Sequence, residues 1–175
     1  MKVYVLRLGH RIGRDKRVST HCGLVSRAFG ADGIIYAGEY DPHMMDSVKR
    51  VSKEWGGSFS IRYEKSWKNF VKAWKKKAGK VVHLTMYGVP IERKIDEIRN
   101  CKRLLVVVGG EKVPPEVYEI ADFNISVTNQ PHSEIAALAI FLDRYFQGKE
   151  LKKTFRNAKK KIVPQKRGKK VIEHK

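Results

Sequence analysis

The sequence predicts an α/β domain in which a mostly parallel sheet is covered by helices on both faces. The first reason is that strand-like segments alternate with segments whose apolar residues recur at helical spacing. The second is the continuous apolar run of residues 104–108, which is typical of a strand buried on both faces. The third is the length of 175 residues, which suits one α/β domain with a sizeable core.

Strands and helices follow one another along the chain. Apolar patterns predict strands over residues 2–8, 33–36, 58–63, 80–86, 103–108 and 122–127. Helices are predicted over residues 18–29, 41–55, 66–77, 91–99, 114–120 and 133–146. Thr20 and Asp41 are candidate helix caps, and residues 9–16 are expected to form a loop. A boundary near Gly148 divides the chain into a domain of residues 1–148 and a basic C-terminal extension of residues 149–175.

The charge of the chain indicates a polyanionic partner. There are 37 Lys and Arg residues against 18 Asp and Glu, so the net charge is +19. Residues 151–175 alone hold eleven Lys or Arg residues and one acid, with apolar residues between them that favour folding part of the tail back onto the body as a helix and a strand. A surface this basic favours nucleic acid, because phosphate contacts release counterions. A charge-rich surface of a heat-adapted protein and an acidic membrane surface are the alternatives.

Several function classes are disfavoured. The longest aliphatic run is far shorter than the roughly 18 residues of a membrane span, and we expect no signal peptide and a cytoplasmic location. Two isolated cysteines and histidines without metal spacing predict neither a disulfide framework nor a metal site. The Rossmann and Walker A glycine patterns are both missing from the sequence.

Two loops after predicted strands are candidates for binding a small molecule, because ligands of such sheets bind beyond the carboxyl ends of the strands. Residues 109–114, Gly-Gly-Glu-Lys-Val-Pro, expose backbone groups to close approach, although a tight structural turn is the alternative. Residues 127–134 are rich in hydrogen-bonding side chains directly before a helix, where ordinary capping is the alternative. With the turn at residues 86–90, these loops predict a cleft.

The first predicted loop and helix are rich in cations that could clamp phosphates. A solvated surface cation is the alternative for each of them. The candidates for RNA binding are Arg7, His10, Arg11, Arg14 and Arg17.

These regions together resemble the three motifs of the SPOUT class of methyltransferases. The residues that carry the resemblance are 7–11, 20–23, 26–31, 83–88, 108–114 and 129–134, which resemble in particular the archaeal tRNA (cytidine-56 2′-O)-methyltransferases. The resemblance implies an α/β domain with a C-terminal trefoil knot, a rare exception to ordinary chain topology. The basic tail lies outside the general SPOUT pattern.

The resemblance implies S-adenosylmethionine (SAM) as methyl donor, tRNA as substrate, the ribose 2′-hydroxyl of a T-loop cytidine as target, and a homodimer with active sites at the interface. The implied SAM contacts are Leu84, Gly109, Gly110, Glu111, Lys112, Val113, Val127, Thr128, Asn129, Gln130, Pro131, His132, Ser133 and Glu134. Ribose-methylating members carry Asn-x-Gly-x-x-x-Arg, and here His21 stands at the Asn position and Arg27 at the Arg position. Both are therefore the expected catalytic residues, with Arg27 orienting the 2′-hydroxyl. A SPOUT enzyme that methylates a base and a non-catalytic RNA binder remain the alternatives.

Overall fold

The computed structural model describes residues 1–110 and 112–174 and confirms the predicted fold class. Its main sheet has six strands, all parallel, in the order β3-β2-β1-β5-β4-β6. The strands are β1 Lys2–His10, β2 Gly33–Gly38, β3 Ser60–Tyr63, β4 Lys80–Pro90, β5 Arg103–Val108 and β6 Phe123–Ser126. Because every strand runs the same way, all the carboxyl ends meet at one edge of the sheet and the amino ends at the other.

Helices cover both faces of this sheet. They are α1 Ile12–Ala28, α2 Pro42–Trp55, α3 Trp67–Lys76, α4 Ile95–Arg99, α5 Pro115–Ile120 and α6 Glu134–Phe146. On one face α1, α2, α4 and α6 pack against alternate strand residues such as Val3 and Val5. On the other face α3 and α5 pack against residues such as Leu6 and Leu8. This alternation of β1 between two cores is the period of two expected for a strand buried on both sides.

The first helix begins six residues earlier than predicted, and most of the expected loop over residues 9–16 is helical. The backbone N–H and Nε of Arg11 both donate to Asp15 Oδ2, and the Ile12 N–H donates to Glu39 Oε2 at 2.7 Å. These carboxylates satisfy amides that the start of a helix leaves unpaired. Thr20, the predicted cap, lies inside the helix and donates to the carbonyl of Lys16.

Strand β4 continues beyond its predicted end at residue 86 and pairs irregularly with β6. Ile125 is paired with both Leu84 and Val89, so the intervening residues bulge out of the strand. Gly88 is required in this bulge, because a Cβ there would lie 2.6 Å from backbone atoms of Asn124 and Ile125. The trefoil knot itself stays a prediction.

The basic extension folds back onto the domain. Residues Lys160–Ile162 (β7) and Val171–Glu173 (β8) form an antiparallel hairpin, after a short 3₁₀ turn at Lys149–Lys152. The Lys159 N–H donates to the carbonyl of Glu54 at the end of α2. The expectation that part of the tail packs on the body is confirmed, although it contributes two strands and a turn rather than a helix and a strand.

Candidate active site

A cavity of about 300 Å³ lies at the carboxyl edge of the sheet, beside the bulged part of β4 and beyond the ends of β5 and β6. We call it the glycine-loop cavity. Its lining residues are His83, Leu84, Thr85, Met86, Tyr87, Gly109, Gly110, Val113, Tyr118, Ile125, Val127, Pro131, His132, Glu134 and Ala137. The structure therefore brings together eight of the fourteen expected SAM contacts: Leu84, Gly109, Gly110, Val113, Val127, Pro131, His132 and Glu134.

The two glycines after β5 have different tasks in this cavity. A Cβ on Gly109 would lie 2.3 Å from Cγ2 of Val113, so a larger residue would displace the Val113 side chain that folds back over this loop. At Gly110 the nearest protein atoms to such a Cβ are the Arg7 guanidinium nitrogens, the closer of them at 3.8 Å. A side chain at Gly110 would instead project into the space that the cavity offers a ligand.

The segment before α6 is shaped by its own hydrogen bonds. Asn129 Nδ2 donates to the carbonyls of Met86 and Gly88 and to Ser126 Oγ, which ties this segment to the β4 bulge. Thr128 Oγ1 accepts from the Gln130 N–H, and Ser133 Oγ caps α6 by accepting from the Ile135 N–H. Thr128, Asn129, Gln130 and Ser133 therefore shape the loop and do not line the cavity. The expected contact Glu111 lies outside the described residues.

The floor of the cavity contains a histidine that the sequence analysis did not single out. His83 is fully buried, with Nδ1 at 2.9 Å from Asn124 Oδ1 and its ring edge-on to Tyr118. Burial lowers the pKa of His83 and outweighs the hydrogen bond to Asn124, which acts in the opposite direction. The available signal was its position directly before Leu84 in the same strand.

A second depression, the basic cleft, adjoins the first. It has a volume of about 520 Å³ and is lined by Gly9, His10, Arg11, Arg14, Gly38, Glu39, Gly110 and Lys112. Gly110 lines both spaces, so the basic cleft and the glycine-loop cavity share one wall. Lys112, expected as a SAM contact, lies on the cleft side. Arg11 and Arg14 also line the basic cleft and are exposed, so RNA can reach both of these predicted contacts.

Arg7 was expected to bind RNA, but the structure buries it, with 1% of its surface exposed. Its Nη1 donates to the Leu8 carbonyl at 2.6 Å, and its Nη2 lies 3.3 Å from Glu134 Oε1. A direct contact with RNA is therefore wrong for Arg7 in this structure. Arg7 instead links the end of β1 to the start of α6, beneath Gly110.

His10 is also buried, contrary to the exposed phosphate contact that was expected. Its Nδ1 lies 2.8 Å from Ser19 Oγ, and its Nε2 lies 3.4 Å from Asp41 Oδ2 at the cap of α2. Burial acts to raise the pKa of Asp41, but the Met44 N–H and the His10 ring hold it below its ordinary value. His10 thus joins β1, α1 and α2. Arg17, another residue expected to bind RNA, is exposed on α1 and does not line the basic cleft.

The two expected catalytic residues lie away from both spaces. His21 is exposed on α1 and lines neither of them. Arg27 is 7% exposed near the end of α1, where Nη2 donates to the Gly56 carbonyl at 2.6 Å and the guanidinium lies 4.4 Å from the Phe155 ring centre. Thirteen residues of helix separate Arg27 from Arg14, which corresponds to roughly 20 Å. The expected catalytic role of Arg27, in an active site completed at a dimer interface, stays a prediction.

The neighbouring positions of the same motif serve packing. A Cβ on Gly23 would lie 2.4 Å from the hydroxyl of Tyr36, so glycine lets α1 approach β2 closely. That hydroxyl donates to the carbonyl of Ser19 at 2.9 Å. Burial raises the pKa of Cys22 to about 12, so the thiol stays protonated and is not a nucleophile at neutral pH.

The described part of the chain shows neither a cluster of metal ligands nor a membrane-spanning helix. Within residues 1–110 and 112–174, no three His, Cys, Asp or Glu side chains are grouped so that they could hold a metal ion. Over the same residues, no helix is long and apolar enough to cross a membrane.

Comparison with known proteins identifies the family. A family model described as tRNA ribose 2′-O-methyltransferase, aTrm56, matches residues 55–172. The tRNA (cytidine(56)-2′-O)-methyltransferase of Thermococcus kodakarensis is 57% identical over 98% of this chain and 97% of that protein. The protein of the same name from Methanocaldococcus jannaschii is 58% identical over 100% of this chain and 98% of that protein. The chain belongs to the aTrm56 family.

Solved structures of other SPOUT proteins share the fold of this aTrm56 member. The TrmH/SpoU tRNA modifying enzyme of A. aeolicus aligns with a TM-score of 0.60 at 19% identity, over 86% of this chain and 76% of that one. AviRb of Streptomyces viridochromogenes, in a structure described as a complex with the cofactor AdoMet, aligns with a TM-score of 0.58 at 15% identity, over 84% of this chain and 57% of that one. The aTrm56 family match also extends through most of the basic tail, which the general SPOUT pattern lacks.

Proposed function

We propose that this chain transfers a methyl group from SAM to the ribose 2′-hydroxyl of cytidine 56 in tRNA. The observation that carries the proposal is the shared wall at Gly110 between the glycine-loop cavity and the basic cleft. A donor in the cavity and a nucleotide in the cleft meet across a residue without a side chain. Relatives at 57% and 58% identity carry the name of this activity.

The residues of the glycine-loop cavity fit SAM. Leu84, Ile125 and Ala137 supply apolar surface for a base, and the backbone of Gly109 and Gly110 is open to polar ligand atoms. The carboxylate of Glu134 at the cavity wall pairs with Arg7 through Oε1, and its other oxygen suits the positive charge of a sulfonium or an ammonium group. When bound, SAM supplies a methyl group on a sulfonium, which is already activated for displacement, so no metal is required.

The basic cleft fits the RNA side of the reaction. Methyl transfer to an oxygen is an in-line displacement, so the 2′-hydroxyl has to be oriented and deprotonated. We assign to Arg14 and Lys112 the binding of phosphates next to the target ribose and the stabilisation of negative charge on its 2′-oxygen.

We assign removal of the 2′-hydroxyl proton to His132, whose exposed side chain lines the glycine-loop cavity. An imidazole nitrogen can accept a proton, whereas a guanidinium has no free lone pair to do so. Replacing His132 with Ala is expected to lower kcat while the affinity for tRNA stays within about twofold. An unchanged kcat in that variant contradicts this assignment.

We also propose that the chain works as a homodimer in the cytoplasm. Ile140 supports the dimer, because it is 45% exposed on the otherwise well-packed apolar helix α6. Ile140→Asp is expected to shift the mass measured by light scattering from dimer to monomer. Ala73→Asp, which places the same charge at an exposed position on α3, is the control and should leave the mass unchanged. A monomeric wild-type protein contradicts the dimer.

One experiment tests the reaction itself. The protein is incubated with methyl-labelled SAM and an unmodified tRNA transcript, and the product is hydrolysed with alkali. A 2′-O-methyl group blocks cleavage of the adjacent phosphodiester, so the proposal expects an alkali-resistant, labelled dinucleotide beginning at cytidine 56. A transcript with 2′-deoxycytidine at that position is the control and should take up no label.

The other outcomes identify the alternatives. Label in an alkali-released mononucleotide indicates methylation of a base. Binding of tRNA without any transfer of label indicates a non-catalytic RNA-binding protein. Either result contradicts the proposed function.

A further inference from the structure

A third cavity lies at the amino edge of the sheet, opposite the candidate active site. Its volume is about 350 Å³. Ala31 and Asp32, which directly precede β2, form one side of it, and residues 153–157 of the basic extension form another. We call it the tail cavity.

Arg27 enters the tail cavity with unused hydrogen-bond donors. The side chain is 93% buried, yet among the described residues only Nη2 donates a hydrogen bond, to the Gly56 carbonyl, and the buried Nε has no partner there. A guanidinium carries five N–H donors in a planar fork, and leaving them unpaired in a buried position is costly. The contact with the Phe155 ring holds the guanidinium in place without using those donors.

Two further cations line the same cavity. Lys153 and Arg156 are both exposed, so a ligand can reach them from solvent. Asp32 is the one carboxylate among the lining residues, and its Oδ2 already accepts from the Val3 N–H at 2.7 Å. The lining is therefore net positive, and its donors are arranged around a space that also contains the aromatic ring of Phe59.

We propose that the tail cavity binds a backbone phosphate of the tRNA substrate, with Arg27, Lys153 and Arg156 as its donors. Bidentate recognition of phosphate is the characteristic use of an arginine fork. The position at the far end of α1, roughly 20 Å from Arg14, makes this a contact remote from the methylated ribose. The inference rests on the proposed function only in taking tRNA as the RNA that binds.

The test removes the cations that can be changed without disturbing the fold. Lys153→Ala/Arg156→Ala is compared with Lys169→Ala/Lys170→Ala, which removes the same charge from exposed positions on the hairpin. The affinity for tRNA is measured as a function of salt, and phosphate-ethylation interference identifies which phosphates are needed. The first variant is expected to lose about tenfold in affinity and about one unit of the salt slope. It should also lose one specific interference position, which the control variant keeps.

A direct readout follows Arg27 itself. The Arg27 Nε–H resonance of the labelled wild-type protein is expected to shift when tRNA is added. A shift with inorganic phosphate at constant ionic strength but not with tRNA overturns the assignment to RNA and indicates a site for a free anion. No shift with either probe overturns the site altogether.

The remaining outcomes are equally decisive. Equal losses in the two double variants, with the same interference pattern, overturn the proposal in favour of a general electrostatic effect. Arg27→Lys that loses turnover while keeping tRNA affinity also overturns it, because that result places Arg27 at the reaction. A wild-type protein that binds tRNA but transfers no methyl group contradicts the proposed function, while the interference and resonance experiments still decide on the tail cavity.

Discussion

The two ends of α1 present arginines in opposite ways. At its start, Arg11 and Arg14 are exposed in the basic cleft, which shares Gly110 as a wall with the glycine-loop cavity. At its end, Arg27 is buried against Phe155 and bound to the carbonyl of Gly56. Both ends are positively charged, but only the first adjoins loops that follow the strands.

This difference shows that position relative to the sheet decides what a cation can do. Ligands of parallel sheets bind beyond the carboxyl ends of the strands, and the start of α1 lies at that edge because it directly follows β1. The helix then runs back along the sheet, so its last turn reaches the amino edge. We therefore expect substitutions at the carboxyl edge to affect chemistry and those at the amino edge to affect stability and RNA affinity.

The largest effect is expected from Gly110→Val. The side chain would occupy space between donor and nucleotide, and we expect methylation to fall at least about 1,000-fold, because small displacements of reacting groups are costly. The fold should remain, since the nearest protein atom to a Cβ at this position is 3.8 Å away. Single-turnover methylation and thermal unfolding measure the two effects.

Ala73→Val is the control for this substitution. Ala73 is exposed on α3 and lines neither the glycine-loop cavity nor the basic cleft. The control variant should keep wild-type turnover. If Gly110→Val remains as active as this control, the shared wall does not separate donor from acceptor.

A smaller loss is expected from Arg14→Ala and Lys112→Ala. Each removes a cation from the basic cleft, and we expect kcat/KM for tRNA to fall about 10- to 100-fold with SAM affinity unchanged. Steady-state methylation and calorimetric SAM titration provide the two numbers. Lys72→Ala, an exposed cation on α3, serves as the control, and an equal loss there would mean that net charge alone matters.

The fold and the donor side of the site were predictable because their signals are local. The run at residues 104–108 predicted a buried strand, and Gly109 and Gly110 after it predicted a ligand loop. The position of Arg27 at the amino edge was not predictable, because motif spacing reveals neither where a helix begins nor which edge of the sheet its end reaches. Starting α1 at Ile12 instead of residue 18 depends on Glu39, 27 positions away, and that contact is tertiary.

Arg27→Met tests the amino edge more gently. The unbranched apolar side chain of Met is shorter but still reaches Phe155, and it loses the hydrogen bond to the Gly56 carbonyl, which should lower the free energy of unfolding by about 1–3 kcal/mol. Turnover at saturating tRNA should fall by less than about threefold, because Arg27 lines neither space at the carboxyl edge. Chemical denaturation measures the stability of this variant and steady-state methylation measures its kcat. A 100-fold lower kcat with normal stability would contradict the division of roles between the start and the end of α1.

The smallest expected effect is on how the folding stability depends on pH, and it comes from His83, which lies at the floor of the glycine-loop cavity. Its pKa is lowered by burial, so the unfolded chain binds a proton more readily than the folded one. The stability from the neutral ring is therefore complete above the unfolded pKa of about 6.5 and is lost as the pH falls toward the folded pKa.

The variant His83→Asn tests this, because it keeps an amide opposite Asn124 but has no ring that titrates. It should be less stable than wild type at pH 7, because the ring packing is lost. Between pH 7 and pH 5 it should lose less stability than wild type does. Denaturation midpoints across that range measure this, with exposed His21→Asn as the matched variant that should follow the wild-type curve. Parallel curves for His83→Asn and wild type would show that the buried ring does not contribute to the acid sensitivity of this edge.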